Sequence, residues 1–416
     1  MKAYIAVFTI GILVRIAAFF TDLKFGGDVY LFQAWAVLLF EGGLPNFYYS
    51  DMFTDYTPVY MYVLWGIGAL RHLLGDLPYM SREFNMLVFA PAVISDMVTG
   101  MLLLLICRRV FYNDGDFGKP FWITLAYLLN PAVIINSSMW GQVDAIHTLL
   151  LFVALYALHK YQTLPVYLLY GFAVLTKPHS LIVAPIFLYS AFLYFKERNY
   201  SIKAAFTVIG YGIATFVFMA LLIAPFTWGL NFVSLWQQYS QYLGTRPFAS
   251  INAYNFYAML GGNWQSISPF FNFVTIVAIV GVSLMTFWIL HKRWDRISIF
   301  FCAALLFIIT FNFSVQMHER YLFPALLFLL VAAVFMHQKN PKSRRFIVLY
   351  IGFTITFTLN CLDVLLSLHG INLLRFIPLP DVFMPVHGLI ALVSFASVAM
   401  AVYSLRTGGD VASWTE

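Results

Sequence analysis

The chain has too few charged residues to be a water-soluble protein of its size. Only 10% of its 416 residues are Asp, Glu, Lys or Arg, whereas 62% are hydrophobic and the mean hydropathy is +0.82. Soluble domains carry about 25% charged residues. No long polar segment is present that would form a separate soluble domain. These shortages exclude a soluble protein and indicate that the solvent of this chain is lipid.

Cysteine is scarce, and low-complexity tracts are missing. Cys107, Cys302 and Cys361 lie in or beside apolar runs without metal-like spacing, which argues against a disulfide framework and a zinc site. No Gly/Ser linker or regular repeat divides the chain. The sequence therefore predicts one integral-membrane domain over residues 1–416. The net charge of +6 reflects the Lys/Arg excess that orients membrane proteins and does not indicate a nucleic-acid partner.

Long apolar runs recur along the whole chain. A bilayer needs about 20 residues per helix, with about 17–25 tolerated. The clear candidates for spans are 4–20, 84–106, 120–138, 143–158, 165–177, 179–195, 204–224, 271–290, 297–315, 321–337, 346–365 and 384–404. The first has no cleavage site and is predicted to be an uncleaved span rather than a signal peptide. The predicted fold class is all-α: a polytopic membrane protein with about 12 transmembrane helices.

The distribution of Lys and Arg decides whether one further apolar stretch, 57–74, crosses the membrane. If it does not, and the N-terminus is cytoplasmic, about two thirds of the 24 Lys and Arg residues face the cytoplasm, as the positive-inside rule requires. If it did cross, Arg108–Arg109 and Lys339–Arg345 would move to the other side. We therefore predict that 57–74 is a re-entrant or interfacial element of a long first outer loop, 21–83. Both termini are then cytoplasmic.

The unusual polar residues are predicted to lie on the outer, extracytoplasmic face. Asp28 follows the first span and precedes a predicted amphipathic interfacial helix at Tyr30–Ala36. It is either the cap or first-turn residue of that helix or a carboxylate that acts as a general base. Asp55 and Tyr56 come just before Pro58, which fixes a helix start, so a capping role is favoured for Asp55.

A run of amides and hydroxyls from Asn136 to Asp144 joins two predicted spans and turns at Gly141. Asp144 and His147 lie one helical turn apart in the second span. An acidic residue there is costly unless it has a partner or lines a wet cavity. A helix cap explains Asp144 in part, but it does not explain Asn136, Gln142 and His147 together. The pattern favours a site.

Two further breaks between apolar runs carry cations. Lys177, in Thr176-Lys177-Pro178-His179, belongs either to a tight turn that Pro imposes or to a phosphate-binding position at the outer surface. His318, Glu319 and Arg320 are consecutive and need mutual pairing, an aqueous cavity or an anionic ligand. Arg320 offers a planar fork to phosphate oxygens, and His318 can move a proton. This segment is predicted to be functional.

A second large outer loop, 225–270, is rich in Trp, Tyr, Asn and Gln. Aromatic residues are ordinary at membrane interfaces. Aromatic faces combined with amides also bind sugars, through stacking and hydrogen bonds. Composition alone does not separate these two interpretations.

In this order, the motifs resemble those of the GT-C superfamily of integral-membrane glycosyltransferases, which take a sugar from a polyprenyl-phosphate donor. The closest similarity is to bacterial and archaeal mannosyltransferase-like members, and a more distant one is to the dolichyl-phosphate-glucose glucosyltransferases of N-glycan assembly. The resemblance spans residues 26–324. The motifs that carry it are Gly27-Asp28-Val29, Asp55-Tyr56-Thr57-Pro58, Asn130-Pro131 with Trp140-Gly141-Gln142-Val143-Asp144, Thr176-Lys177-Pro178, and His318-Glu319-Arg320-Tyr321-Leu322-Phe323-Pro324.

The resemblance implies a GT-C fold and a hexosyltransferase that acts on the extracytoplasmic face of the cell membrane. Asp28 matches the proposed catalytic base of the family. His318 and Arg320 match the motif near the donor phosphate, with Lys177 as a possible further cation. The residues implied to line the substrate cavity are Gln142, Asp144, Glu319, Asp55 and Tyr56. Some members carry paired acids where Asp28 stands alone here, which favours a reaction that uses no metal ion or other cofactor.

The expected partners are a polyprenyl-phosphate-sugar donor, a glycan, glycolipid or polymer acceptor, and membrane lipid. The main alternative is a lipid-linked saccharide flippase or transporter, but such proteins tend to have two related halves and these motifs have no second copy. Another alternative is an O-antigen-type ligase or polymerase. Several arginines would be expected in its outer loop, whereas 225–270 contains only Arg246.

Overall fold

The computed structural model describes residues 2–21, 23–50, 52–111, 118–240 and 247–371. The described part of the chain is mostly helical, with 77% of its residues in helices. Its contacts divide it into two compact units, Met1–Arg246 and Pro247–Glu416. The boundary falls inside the predicted outer loop 225–270.

The first unit is built from helices alone over its described residues. They are α1 (Lys2–Phe19), α2 (Gly26–Gly42), α3 (Pro58–Leu73), α4 (Arg82–Val110), α5 (Gly118–Leu128), α6 (Pro131–Ile134), α7 (Asp144–Leu158), α8 (Leu164–Thr176), α9 (Ala184–Glu197), α10 (Ile202–Ile223) and α11 (Phe232–Ser240). Short 3-10 helices occupy Leu44–Tyr49, Pro178–Val183 and Ala224–Phe226, and a π-helical turn occupies Ile135–Met139.

The second unit combines helices with one very short sheet. Its elements are β1 (Ser250–Ile251), α12 (Phe256–Met259), α13 (Pro269–Lys292), α14 (Arg296–Phe313), β2 (Met317–His318), α15 (Phe323–Lys339) and α16 (Arg345–Leu368). The two strands are parallel, with Ser250 opposite Met317 and Ile251 opposite His318. α14 and α15 form the buried centre of this unit.

Several long helices begin where a polar residue precedes an apolar run. Ser81 accepts a hydrogen bond from Phe84 N and so caps α4. Asp295 does the same for α14, with Ser298 N as the donor at 2.8 Å. These side chains satisfy backbone N–H groups that have no partner within the first turn.

Among the described residues, six helices are long and apolar enough to cross a membrane. They cover Arg82–Val110, Pro178–Glu197, Ile202–Phe226, Pro269–Lys292, Arg296–Phe313 and Arg345–Leu368. A seventh span arises if α5 and the helical segment Pro131–Met139, which are bent by 44° relative to each other, are counted together. The prediction of an all-α polytopic membrane protein is confirmed in this coarse form.

The number of about 12 spans stays a prediction. Four further predicted spans coincide with shorter apolar helical segments, which are Tyr4–Phe19 of α1 and the helices α7, α8 and α15. The last predicted span, 384–404, lies outside the described residues. The membrane assignment depends on the exposure of apolar side chains as well as on helix length. In Ile202–Phe226, none of the most apolar 18-residue window is buried within the protein. Such a surface is compatible with lipid and not with water.

The segment predicted to be the first outer loop, 21–83, contains two helices, α2 and α3, that pack closely. α3 has 16 residues and is therefore about 24 Å long, less than the roughly 30 Å of hydrocarbon in a bilayer. Its Gly68 lies against α2, so near that a Cβ atom there would meet the carbonyl oxygen of Ala36 at 2.2 Å. The non-spanning topology of this element stays a prediction that its length supports.

Two local predictions for this loop are wrong. The stretch Tyr30–Ala36 is not amphipathic in its setting, because the four consecutive residues from Gln33 to Ala36 are all buried. Consecutive helical positions point in different directions, so α2 is covered on several sides here. Asp55 does not cap α3: the N-cap position is Thr57, no side-chain cap bond forms there, and Asp55 is exposed. Pro58 does begin the helix, as predicted.

A buried ion pair joins α1 to α4. Arg15 donates from Nη2 to Asp96 Oδ2 at 3.0 Å, and from Nη1 to the carbonyl oxygen of Leu128 at 2.8 Å. Asp96 also accepts from the Tyr127 hydroxyl at 3.4 Å. Arg15 is 2% exposed and Asp96 is fully buried. Charges in apolar surroundings require such partners, so we interpret this pair as a structural element.

We expect Gly68→Ala to lower the midpoint of thermal unfolding of the protein purified in detergent. The added methyl group overlaps the Ala36 carbonyl, and overpacking of this kind costs about 1–3 kcal/mol or more. Gly66→Ala is the matched control, because it lies on the same helix and a Cβ atom there meets nothing within 4 Å. Equal unfolding temperatures for the two variants would contradict the close packing of α2 and α3.

We also expect Asp96→Leu to destabilise the protein by about 3–5 kcal/mol, because it leaves the Arg15 charge buried without its carboxylate. The double variant Arg15→Met/Asp96→Leu should recover most of this loss, since both charges are then gone. Thermal unfolding of the two variants and of Arg15→Met measures the coupling. Additive effects of the single changes would show that the pair does not act as a unit.

Candidate functional site

Asp28 is held by two hydrogen bonds from a turn more than a hundred residues away. It lies in the first turn of α2, whose N-cap is Phe25. Its Oδ2 atom accepts from Gln142 Nε2 at 2.6 Å and from Trp140 Nε1 at 3.0 Å. Both donors are neutral, so they orient the carboxylate without supplying a countercharge. Since the N-cap is Phe25, Asp28 is not the N-cap of α2, but its predicted alternative place in the first turn is confirmed.

The turn that carries Trp140 and Gln142 has an unusual backbone. Asn130 caps the short helix α6, with Pro131 at its start, and the chain then widens into the π-helical turn Ile135–Met139. Such turns leave the regular hydrogen-bond pattern and often mark functional sites. Gly141 follows with φ +70°, and a Cβ atom there would lie 2.5 Å from the Phe89 ring. Only glycine fits this position without a shift.

Aromatic residues fix the two donors. The ring of Phe25 stacks on that of Trp140, with centroids 4.9 Å apart and planes at 11°. The Tyr56 hydroxyl donates to Gln142 Oε1 at 3.4 Å, which leaves the amide nitrogen to face Asp28. Tyr56 itself is 8% exposed and packs in an aromatic cluster with Phe32 and Tyr60. The predicted residues Asp28, Tyr56 and Gln142 are thus brought together.

A second cluster centres on Asp144, which is fully buried in the first turn of α7. Lys177 donates from Nζ to Asp144 Oδ1 at 2.5 Å, and Asn136 donates from Nδ2 to Oδ2 at 3.4 Å. Lys177 is buried, with 5% of its surface exposed, and it lies where the chain breaks between α8 and the 3-10 helix Pro178–Val183. Its location at the outer face of the membrane stays a prediction. A phosphate-binding role for Lys177 stays a prediction.

The two clusters share a backbone connection through Asn136. Its carbonyl oxygen accepts from Gln142 N at 3.0 Å, while its side chain contacts Asp144. His147 lies one turn along α7 and is also fully buried. Ligand atoms of Asp144, His147 and His179 lie within 4.8 Å of one another, and in the described part of the chain this is the group of three that could hold a metal ion.

The segment His318–Arg320 belongs to the second unit and pairs within itself. Arg320 donates from Nη1 to Glu319 Oε1 at 2.7 Å, and His318 Nδ1 lies 4.0 Å from Glu319 Oε2. Glu319 is 2% and Arg320 9% exposed. The pairing of β2 with β1 fixes the segment at His318. Mutual pairing was one of the three requirements that the sequence indicated for these residues, and the donor-phosphate role stays a prediction.

One polar cluster of the second unit was not predicted. Tyr254 donates from its hydroxyl to Asp363 Oδ2 at 2.5 Å, and Asn360 donates from Nδ2 to the carbonyl oxygen of Asn252 at 2.7 Å. Burial, and then the neighbouring Asp363 carboxylate, raise the pKa of Tyr254 above its ordinary value, so the phenol stays a donor. The signal in the sequence was the pair Asn360 and Asp363, one helical turn apart in an apolar run.

We expect Gly141→Ala to destabilise the protein and to disturb the turn that holds Asp28. Two costs add: a residue other than glycine at φ +70° loses roughly 1–2 kcal/mol, and the methyl group overlaps Phe89. Gly229→Ala separates them, because Gly229 has φ +59° but open space around it. Thermal unfolding should show the larger loss for Gly141→Ala. A loss equal to that of Gly229→Ala would show that Phe89 yields easily.

Comparison with known proteins does not assign the chain to a family. No protein-family model matches the chain, and a search of curated protein sequences finds no significant match. The GT-C resemblance therefore stays a prediction that depends on the motifs themselves, and the site is defined by its contacts.

Proposed function

We propose that the protein is an integral-membrane glycosyltransferase that moves a hexose from a polyprenyl-phosphate donor to an acceptor hydroxyl on the extracytoplasmic face. The observation that carries the proposal is the meeting of Asp28 with Trp140 and Gln142. Asp28 belongs to one motif of the resemblance. Trp140 and Gln142 belong to another and follow Asp28 by 112 and 114 positions in the chain. Motifs of one active site are expected to converge in space, and these two do.

Asp28 has the properties of a positioned general base. Trp140 and Gln142 both donate to Oδ2, so they hold the plane of the carboxylate that is proposed to take the proton. The residue is partly buried at the start of α2. A base acts only when it is within hydrogen-bond reach of the hydroxyl that it deprotonates, and its orientation is therefore as important as its basicity.

The proposed reaction is one displacement at the anomeric carbon. The acceptor oxygen forms a bond to that carbon as its proton passes to Asp28, and the bond from carbon to the phosphate oxygen breaks. The polyprenyl phosphate leaves with the bonding electrons. Attack and departure on opposite faces invert the anomeric centre, as in other single-displacement glycosyl transfers.

Charge that develops on the leaving phosphate needs a cation or hydrogen-bond donors. The resemblance assigns this role to Arg320 and His318 of the second unit. Arg320 donates to Glu319 Oε1 at 2.7 Å, so its charged group already binds an oxyanion. A phosphate oxygen would compete with Glu319 for the same charged group.

The aromatic cluster around Tyr56 supports the position of the base from behind. Tyr56, Phe32 and Tyr60 are buried and pack together, and Gln142 contacts both Tyr56 and Asp28. This packing fixes the amide of Gln142 and thereby the carboxylate of Asp28. The alternative function, a lipid-linked saccharide transporter, requires no base at this position.

We expect Asp28→Asn to reduce sugar transfer by about 100–10,000-fold, the range typical for loss of a general base. Transfer is measured with the purified protein in liposomes and a panel of polyprenyl-phosphate sugars with a mixed lipid-glycan acceptor. Glu41→Gln is the matched control, since it makes the same chemical change on the same helix and Glu41 is exposed. Its activity should equal that of the unmodified protein.

Two results would contradict the proposal in different ways. If the unmodified protein is active and Asp28→Asn transfers sugar equally well, Asp28 is not the general base, but the protein is still a glycosyltransferase. If the unmodified protein consumed no donor but moved a fluorescent lipid-linked sugar across the bilayer, the transporter function would replace the enzyme.

A further inference from the structure

His147 is held in one tautomer by its surroundings. Its Nδ1 atom lies 3.1 Å from the Ser180 hydroxyl oxygen. That hydroxyl donates its own proton to the carbonyl oxygen of Ala173 at 3.0 Å, so it can only accept from His147. The proton of the neutral imidazole is therefore on Nδ1, and Nε2 presents a lone pair.

This lone pair faces a carboxylate. His147 Nε2 is fully buried, makes no hydrogen bond, and lies 3.5 Å from Asp144 Oδ1. Two electron-rich atoms at this distance repel each other, and burial strengthens the repulsion because the local dielectric constant is low. A buried polar atom without a partner costs about 1–3 kcal/mol. A positive group close to both atoms relieves this repulsion. The Lys177 ammonium, 2.5 Å from Asp144 Oδ1, offsets the charge of the carboxylate but leaves His147 Nε2 without a hydrogen bond, whereas a metal ion would bind both atoms.

We propose that Asp144, His147 and a ring nitrogen of His179 bind one divalent transition-metal ion of the zinc class. Their ligand atoms already lie within 4.8 Å of one another. Around tetrahedral zinc, with bonds of about 2.0–2.1 Å, ligand atoms are about 3.4 Å apart, so small side-chain rotations complete the site. Two imidazoles and one carboxylate suit zinc, cobalt or nickel better than magnesium or calcium, which prefer oxygen ligands.

The surrounding contacts match those of a metal site. The hydrogen bond from His147 Nδ1 to Ser180 is the kind of outer contact that orients a ligating imidazole. Asn136 does the same for Asp144 through its bond to Oδ2. His179 is only partly buried, which provides a side from which an ion can enter. Three protein ligands leave a fourth position for water or another donor.

Lys177 is a competitor for the same carboxylate. Its ammonium contacts Asp144 Oδ1 at 2.5 Å, and a divalent ion beside it would meet strong repulsion. Binding of the ion therefore requires the ammonium to move away from Asp144 or to lose its proton. Replacement of Lys177 by the uncharged, similarly shaped Met should strengthen metal binding. A cluster with only a structural role would show no such gain.

The test is a titration of the purified full-length protein, stripped with a chelator, with Zn²⁺ and with Co²⁺. We expect one ion per chain with a dissociation constant below about 1 μM for Zn²⁺. With Co²⁺ we expect the intense visible absorption of a four-coordinate site. His147→Ala should weaken binding by at least about 100-fold, since changes in outer contacts alone cost 10–100-fold. Lys177→Met should tighten it by at least about tenfold.

His72→Ala is the matched control, because His72 is exposed and also pairs with an aspartate, Asp76; its affinity should not change. The proposal is overturned if the unmodified protein takes up less than one ion, or if Co²⁺ gives only a six-coordinate spectrum. It is also overturned if His147→Ala and His72→Ala have equal affinities. The spectrum of the unmodified protein decides the matter even if His147→Ala fails to fold. No donor sugar is present, so the result is independent of the glycosyltransferase proposal.

Discussion

A polar group inside an apolar chain must find its partner within the protein, and this requirement shapes the structure more than any other. Lipid supplies neither hydrogen bonds nor countercharges. Arg15 is accordingly paired with Asp96, Asp144 with Lys177, and Glu319 with Arg320. The pairs in the first unit join elements that are distant in the chain. They therefore specify which helices pack together, a choice that apolar side chains alone specify poorly.

The same requirement explains the breaks between helices. The turn from Asn136 to Asp144 exposes backbone and amide groups that a continuous helix would hide. Three of these groups connect the site: the carbonyl of Asn136 accepts from Gln142, the side chain of Gln142 binds Asp28, and the side-chain nitrogen of Asn136 binds Asp144. Gly141 allows the chain to turn against Phe89. Polar chemistry is thus concentrated where helical geometry is interrupted.

Much of the helical architecture could be predicted from the sequence, because apolar length and Lys/Arg asymmetry are strong local signals. The sequence also indicated that Asp28, Gln142 and Asp144 need polar partners, since isolated polar residues in apolar runs are costly. The partners were not visible. Nothing local indicates that Trp140 and Gln142 reach Asp28, or that Lys177 is buried against Asp144 rather than exposed. Such pairings depend on long-range packing, and so did the burial of Gln33 to Ala36, which a helical pattern predicted to be half exposed.

The contact between Gly68 and Ala36 has a mechanical consequence. A Cβ atom on Gly68 would lie 2.2 Å from the Ala36 carbonyl oxygen, so the glycine Cα is within about 3.7 Å of that oxygen, near the range of a Cα–H···O bond. Two backbones that touch in this way cannot slide past each other without losing the contact. α2 and α3 then move as a single rigid plate. If the predicted first outer loop moves, α2 and α3 move together and carry Asp28 with them, and α2 does not bend.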